Sequence, residues 1–164
     1  MSYYLDLFKS LNDGDVRYVV VGGVAVVLHG VVRNTADVDL IVQLDPENIE
    51  KFNQCMVTLG YQPRLPIDPK QLSIVSVRKD WLESRNMQVF SFFHSKDQYK
   101  IVDVFVDEPI AFKNLYQDKI NVPVQDIMVP LASLEHLKYL KRLAGRPRDL
   151  ADIDSLNNME NFNA

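Results

Sequence analysis

The fold of this chain is decided by residues 19–42, which read VVVGGVAVVLHGVVRNTADVDLIV. The opening valines have the composition of a strand that is buried on both faces. The pair Gly22-Gly23 follows at once and indicates a tight turn whose backbone lies close to another group. A short helix over 24–28 and a second strand that begins at Asp37 complete the stretch. The chain is therefore predicted to be organised around two strands joined by a helix.

Two acids are predicted to share one face of the second strand. Alternate side chains of a strand point the same way, so Asp37 and Asp39 stand together. Their Cα atoms would lie about 6.6 Å apart, at about 3.3 Å per residue, so both carboxylates could reach one divalent ion or bracket a pair. Like charges this close are unfavourable unless a cation neutralises them. An Asp-x-Asp pattern is also common at solvated strand edges, so alone it does not establish a metal site.

A third acid strengthens the case for a metal. Asp103 interrupts hydrophobic residues on both sides within a predicted strand over 99–107. An ionised aspartate in such a strand needs a partner, because Asp is almost never buried unpaired. A metal ion held by Asp37, Asp39 and Asp103 would satisfy all three carboxylates. The alternative is a structural cluster in which these acids meet cations without a metal.

Several residues near the acids are candidates to bind phosphate. Gly22 and Gly23 would leave backbone N–H groups free for an anion, although for the pair taken alone a plain strand-to-helix turn is the better explanation. Arg33 and Thr35 place a guanidinium and a hydroxyl beside the carboxylates. Arg33 could bind phosphate or pair with an aspartate. His29, at a helix end, is predicted to be a packed residue without a catalytic role.

The charged side chain of Lys141 is predicted to point toward the core from the apolar face of an amphipathic helix. The helix is capped by Ser133, and Lys141 falls between Leu134 and Leu137 in the middle of its apolar stripe, which is predicted to include Leu131 as well. Two interpretations stay open. Lys141 either forms a buried ion pair with Asp149 or Asp152 of the next helix, or contacts phosphate.

The remaining elements predict a mixed sheet flanked by helices, an α/β (α+β) fold that ends in C-terminal helices. The strands over 87–93 and 99–107 are joined by a tight turn and should run antiparallel. Pro123 restricts a further strand over 119–124 to a sheet edge. The predicted helices beyond the first stretch cover residues 3–11, 46–59, 71–83, 111–116, 134–144 and 148–156, and 63–69 is predicted to be a loop.

Size and composition favour one domain over residues 1–164, with a core at 17–156 and a frayed tail at 157–164. A chain of 164 residues can bury about 70% of its unfolded surface, so a metal is not needed for folding and would be functional. The net charge of -4 argues against a protein that coats long nucleic acids. Cys55 is the only cysteine, and no segment has the length of a signal peptide or membrane span. A cytoplasmic protein without membrane anchoring is expected.

The motifs together resemble the nucleotidyltransferase superfamily of the DNA polymerase beta type. The resemblance rests on Gly22-Gly23, His29-Gly30, Arg33, Thr35, Asp37-Val38-Asp39 and Asp103 in that order. Lys141 followed by AGRPRDLAD at 144–152 is similar to the closing motif of small bacterial members related to the AbiEii type of toxin nucleotidyltransferase and to several uncharacterised families. The similarity covers about residues 17–156.

The resemblance implies a set of site residues. Asp37, Asp39 and Asp103 would be the catalytic ligands of Mg²⁺ or Mn²⁺. The cofactor-binding set would consist of Gly22, Gly23, Arg33, Thr35 and Lys141, with the glycines against the triphosphate and Lys141 on phosphate. Many members have Gly-Ser in place of Gly22-Gly23, and that serine hydroxyl binds phosphate. Gly23 cannot supply this contact, although other members share the Gly-Gly form.

The implied function is metal-dependent transfer of a nucleoside monophosphate from a nucleoside triphosphate such as ATP to a hydroxyl, with pyrophosphate leaving. The acceptor is open between a protein, a tRNA end and a small antibiotic-like molecule, and a homodimer or partner protein could complete its pocket. A toxin-antitoxin or defence setting fits the AbiEii likeness. Two alternatives are a catalytically idle nucleotide-binding or antitoxin-like protein and an antibiotic-modifying nucleotidyltransferase.

Overall fold

The computed structural model describes residues 2–164 and the side chains from Tyr4 onward. Seven strands form a single mixed sheet: β1 (Tyr18–Val21), β2 (Val38–Val42), β3 (Tyr61–Pro63), β4 (Val89–His94), β5 (Asp97–Phe105), β6 (Ile120–Val124) and β7 (Ile127–Leu131). The helices are α1 (Ser2–Asp13), α2 (Gly22–Leu28), α3 (Pro46–Thr58), α4 (Val75–Arg85), α5 (Phe112–Gln117), α6 (Leu134–Ala144) and α7 (Pro147–Asn163), with a 3₁₀ helix at Pro69–Ser73.

The sheet order is β3-β4-β5-β2-β1-β7-β6, which makes β2 the central strand. It pairs antiparallel with β1 and parallel with β5. The hairpin of β4 and β5 is antiparallel, as the short connection predicted. The predicted mixed sheet flanked by helices is confirmed, and the two strands with acidic residues are direct neighbours at its centre.

The alternation of β2 and β5 separates a buried face from a partly exposed one. Val38, Leu40, Val102 and Val104 are each 0% exposed. Burial of a valine or leucine side chain stabilises a fold by roughly 1.5–3 kcal/mol, so this face fixes the register of both strands. The residues between them in sequence, including Asp103, must then point to the opposite face.

The structure differs from the sequence expectations in several strands and helices. The predicted helix over 71–83 is a 3₁₀ helix and α4, separated by Ile74, whose φ of -98° and ψ of 109° are extended. Two strands, β3 and β7, were not predicted. Leu131 ends β7 and does not lie on the stripe of α6, so that prediction was wrong. Pro123 lies in β6 at the sheet edge, as predicted.

The C-terminal helix continues to Asn163, across residues for which the sequence predicted a frayed tail. Its last turns have tertiary partners. Lys138 of α6 forms an ion pair with Glu160, and the sulfur of Met159 lies near Gly30. These contacts compensate for the polar, asparagine-rich sequence. Within residues 2–164, no helix combines the length and apolarity needed to cross a bilayer.

Candidate active site

The central pair of parallel strands brings two distant acids side by side. Asp39 of β2 is the direct register partner of Asp103 of β5. Neighbouring strands lie about 4.8 Å apart, and paired residues of parallel strands project from the same face. Asp37, two residues before Asp39, influences the titration of both acids. The structure therefore places Asp39 and Asp103 side by side, with Asp37 near enough for its charge to act on both.

The pKa values of Asp39 and Asp103 are both raised, because nearby cations only partly offset burial and the charges of the other acids. Burial and the neighbouring Asp103 raise the pKa of Asp39 from 3.8 to about 6, against the opposing effect of Lys141. Burial also raises the pKa of Asp103, although a hydrogen bond from Ser91 favours its ionised form. Two acids with raised pKa values next to each other indicate a place where a cation would be bound favourably.

Gly22 is required by the position of Asp39. Its φ is 64°, and a Cβ atom there would overlap the Oδ2 atom of Asp39 and lie 2.6 Å from its Cγ. The next residue, Gly23, donates its backbone N–H to the Asp39 carboxylate. The glycine turn therefore packs directly against the central acid and holds it in place.

Alanine at Gly22 should destabilise the protein by roughly 1–3 kcal/mol, because it combines a strained backbone with displacement of Asp39. We also expect it to weaken Mn²⁺ binding at least tenfold. Gly145→Ala is the matched control, since Gly145 has a φ of 63° but its Cβ would meet nothing closer than 3.4 Å. Thermal unfolding and Mn²⁺ titration of both variants test this. Unchanged Mn²⁺ binding in Gly22→Ala would contradict the assignment of Asp39.

Gly23 makes room for polar side chains of the loop before β2. A Cβ atom at Gly23 would overlap Nη1 of Arg33 and lie 2.5 Å from the hydroxyl oxygen of Thr35. Arg33 Nη1 is buried and has no hydrogen-bond partner among the described residues. The guanidinium and the hydroxyl therefore lie against the glycine turn, and a larger residue at 23 would have to displace them.

Lys141 lies in a buried ion-pair network. Its Nζ is 3.2 Å from Asp149 Oδ1 and 2.7 Å from Asp152 Oδ2. Asp152 also pairs with Arg33 Nε at 3.1 Å, so α7 is linked to the loop beside the acids. Burial opposes ionisation of Asp149, but the hydrogen bonds and charges of Arg146 and Lys141 together keep the pKa of Asp149 below its ordinary value. Of the two interpretations of Lys141, the structure shows the ion pair, with both predicted aspartates at once.

The chain matches a known protein family over nearly its whole length. The family described as "Nucleotidyltransferase of unknown function (DUF6036)" matches residues 5–163. The chain belongs to this nucleotidyltransferase family. No curated protein matches it significantly. The AbiEii likeness stays a prediction.

Solved nucleotidyltransferases share its fold. The lincosamide antibiotic adenylyltransferase LnuA, bound to lincomycin, has a TM-score of 0.59 at 20% identity, over 94% of this chain and 92% of LnuA. ANT(2")-Ia, in complex with adenylyl-2"-tobramycin, has a TM-score of 0.61 at 13% identity, over 96% and 87%. An antigenic nucleotidyltransferase-like protein from Paracoccidioides brasiliensis has a TM-score of 0.59 at 17% identity, over 96% and 75%.

Two residues of this nucleotidyltransferase site were missed by the sequence analysis. Ser91 of β4 is the register partner of Asp103, and its hydroxyl donates to Asp103 Oδ1 at 2.5 Å. Arg64 follows β3, and its positive charge favours the ionised form of Asp103. Ser91 had a detectable signal, since it is a polar residue inside an apolar strand. Arg64 had none, because β3 itself was not predicted.

His29 has a structural role in the nucleotidyltransferase. Its Nε2 lies 2.9 Å from the carbonyl oxygen of Ala132, at the start of the segment that leads into α6. Burial lowers the pKa of His29, so the imidazole is neutral at physiological pH. The hydrogen bond from the neutral ring to this carbonyl connects the end of α2 to the residues just before α6. This contact agrees with the packed role predicted for His29.

The donor set fits a hard divalent cation. Asp37, Asp39 and Asp103 offer carboxylate oxygens only, the ligands that Mg²⁺ and Mn²⁺ prefer. Over residues 2–164, no three His, Cys, Asp or Glu side chains already have the spacing of a formed metal site. The metal-free acids repel one another, so such spacing would require the cation itself. The raised pKa values of Asp39 and Asp103 support this fit.

Proposed function

We propose that this nucleotidyltransferase moves a nucleoside monophosphate from a nucleoside triphosphate to a hydroxyl group, with Asp37, Asp39 and Asp103 as the ligands of Mg²⁺ or Mn²⁺. The observation that carries the proposal is the register pairing of Asp39 with Asp103 on one face of the central strands. We favour a catalytic function over that of a catalytically idle nucleotide-binding protein. Partly buried, mutually repelling acids destabilise a fold, and only a bound cation would compensate for them.

The residues divide the work of the transfer among them. When bound, the divalent ions would neutralise charge on the triphosphate and on the leaving pyrophosphate. Asp103 is the candidate base, because its raised pKa increases its affinity for the proton of the acceptor hydroxyl. Ser91 fixes the orientation of that carboxylate through its hydrogen bond.

The nucleotide contacts stay predictions and are supported unequally. Arg33 and Thr35 have polar atoms against the glycine turn beside Asp39, which supports a contact to phosphate. Gly22 and Gly23 lie close to Asp39, near where a triphosphate must reach the metal. Lys141 is engaged by two carboxylates, so we propose that it acts on the phosphates through its long-range charge.

A small-molecule acceptor is better supported than a protein or a tRNA end. Two of the similar structures are of antibiotic adenylyltransferases, one bound to lincomycin and one to adenylyl-2"-tobramycin. Adenylyl transfer from ATP to a small hydroxyl compound is therefore the form of the reaction that we propose. The toxin-antitoxin setting, the cytoplasmic location and a homodimer stay predictions.

Binding of metal and nucleotide together tests the proposal and has a defined pH dependence. Folding raises the pKa of Asp39 from 3.8 to about 6, so the metal-free folded state holds an extra proton between these values. The contribution of Asp39 to stability is therefore most favourable below pH 4 and falls by up to about 3 kcal/mol as pH rises through 6. A metal ion must displace this proton to bind. The stabilisation of the protein by the metal should therefore increase as pH rises.

We expect Mn²⁺ with a nonhydrolysable ATP analogue to raise the melting temperature by several degrees at pH 8 and by little at pH 5. Differential scanning fluorimetry over this range measures the shift. Sodium chloride at matched ionic strength is the control for charge screening. An equal shift with sodium chloride, or none at pH 8, would contradict the metal-dependent function.

A further inference from the structure

A pocket of about 190 Å³ opens along β4, the neighbour of β5 on the side away from β2 and Asp39. Its wall is formed by β4, by the turn that leads into β4, and by the segment that follows β3. The lining residues are Arg64, Leu65, Met87, Val89, Phe90 and Ser91. An apolar cavity of about 150 Å³ is known to bind benzene, so this pocket has room for a ring-sized group.

The pocket adjoins the candidate base. Ser91 lines it and also donates its hydroxyl hydrogen to Asp103 Oδ1. The backbone N–H of Arg64 donates to the carbonyl oxygen of Ser91 at 2.9 Å, so the strand pairing of β3 and β4 continues into the pocket wall. A compound held in the pocket would therefore lie one side chain away from Asp103.

The positive charge of Arg64 determines which compounds the pocket would favour. Of the described residues that line it, only Arg64 is charged, and Leu65, Met87, Val89 and Phe90 make the remainder largely apolar. Across the described chain, no acidic side chain lies within ion-pair distance of Arg64; its guanidinium acts on Asp103 only at longer range. An unpaired guanidinium on an apolar wall favours an anion and disfavours an amine.

We propose that this pocket is the acceptor subsite and that it takes a small hydroxyl compound with an apolar, ring-sized body and one negative charge. The proposal rests on the proposed function. In the transfer, the acceptor oxygen forms a bond to the α-phosphorus as the bond from that phosphorus to the α–β bridging oxygen breaks. Pyrophosphate leaves with the bonding electron pair, and the hydroxyl proton passes to Asp103. An amine-rich acceptor such as an aminoglycoside would meet the charge of Arg64 unfavourably.

Three matched probes test the charge preference: 4-(hydroxymethyl)benzoate, the corresponding benzamide and the corresponding benzylamine. They have the same ring and hydroxyl and differ in charge. The full chain, labelled with ¹⁵N and loaded with Mg²⁺ and a nonhydrolysable ATP analogue, is titrated with each probe by NMR. We expect saturable shifts of the backbone amides of Met87, Val89 and Ser91, with the benzoate bound about tenfold more tightly than the benzamide and the benzylamine weakest.

Arg64→Gln should remove this preference, so that all three probes bind within about twofold of one another. Arg85→Gln is the control, because Arg85 is an exposed arginine at the end of α4 that does not line the pocket. The inference is overturned if no probe shifts these amides, if the benzylamine binds as well as the benzoate, or if the preference persists in Arg64→Gln. Binding of the ATP analogue with Mg²⁺ is followed in the same samples, so failure of the proposed function shows separately as absent nucleotide binding.

Discussion

Replacement of Asp39 by asparagine should abolish nucleotidyl transfer and at the same time stabilise the metal-free protein. The loss of transfer should be at least about 10³-fold, since even partners that only orient metal ligands contribute about 10–100-fold. Stabilisation follows because the pKa of Asp39 lies at about 6, which means that its ionised form is unfavourable in the folded state. At pH 8 the variant should gain on the order of 1–3 kcal/mol in free energy of unfolding.

Two measurements check this pair of effects: transfer of label from α-³²P-ATP, and urea denaturation at pH 8 without divalent metal. The gain in stability should shrink as pH falls through 6 and disappear below about pH 3.8, where Asp39 is protonated in both the folded and the unfolded state. Asp154→Asn, at an exposed position of α7, is the matched control and should change neither quantity. Label transfer at the wild-type rate by Asp39→Asn would refute the assignment of this acid.

Replacement of Lys141 by methionine should destabilise the protein by about 3–5 kcal/mol, the typical loss when one partner of a buried ion pair is removed. The Lys141 side chain is 5% exposed, and those of Asp149 and Asp152 are 2% and 7% exposed. Methionine fills a similar volume, so the loss would come from the two carboxylates that remain without their cation. Chemical denaturation of the wild type and the variant measures it.

A second substitution separates the structural role of Lys141 from a role in phosphate binding. Asp152→Asn in the Lys141→Met background removes one unpaired charge and should restore part of the lost stability. Lys79→Met, at an exposed pair with Glu83, is the control and should have little effect. If Lys141→Met retained full stability and only weakened ATP binding, the ion-pair network would not be the main role of this lysine.

The central sheet could be predicted from sequence because its strands are strongly patterned. Asp103 lies between Val102 and Val104 in the apolar half of β5, and the alternation fixes its face once these valines are buried. The two missed strands contain prolines that weaken the pattern, Pro63 in β3 and Pro130 in β7. Both strands are short. β3 pairs with β4, about thirty residues on, and β7 pairs with distant β1 as well as with adjacent β6, and local sequence does not encode the long-range pairings.

The acidic residues of the site could be predicted from the sequence, but the residues around them could be predicted less well. Register between β2 and β5 is a property of backbone pairing, so the sequence could suggest that Asp39 and Asp103 meet but could not fix which residues pair. The position of Lys141 within an apolar stripe showed that it points inward, yet the helical wheel could not show which anion it meets. Distances in the folded chain show that Asp149 and Asp152 meet it.

The ion-pair network between Arg33 and α7 has a consequence for the order in which the protein becomes functional during synthesis. The loop and the first acids leave the ribosome before the third acid, and the helix that holds Arg33 leaves after all three. Domains generally fold as units while the chain emerges. A nascent chain that ends before Asp152 would expose an unbalanced group of acids and an unanchored arginine, so catalytic competence should be acquired only when α7 has docked.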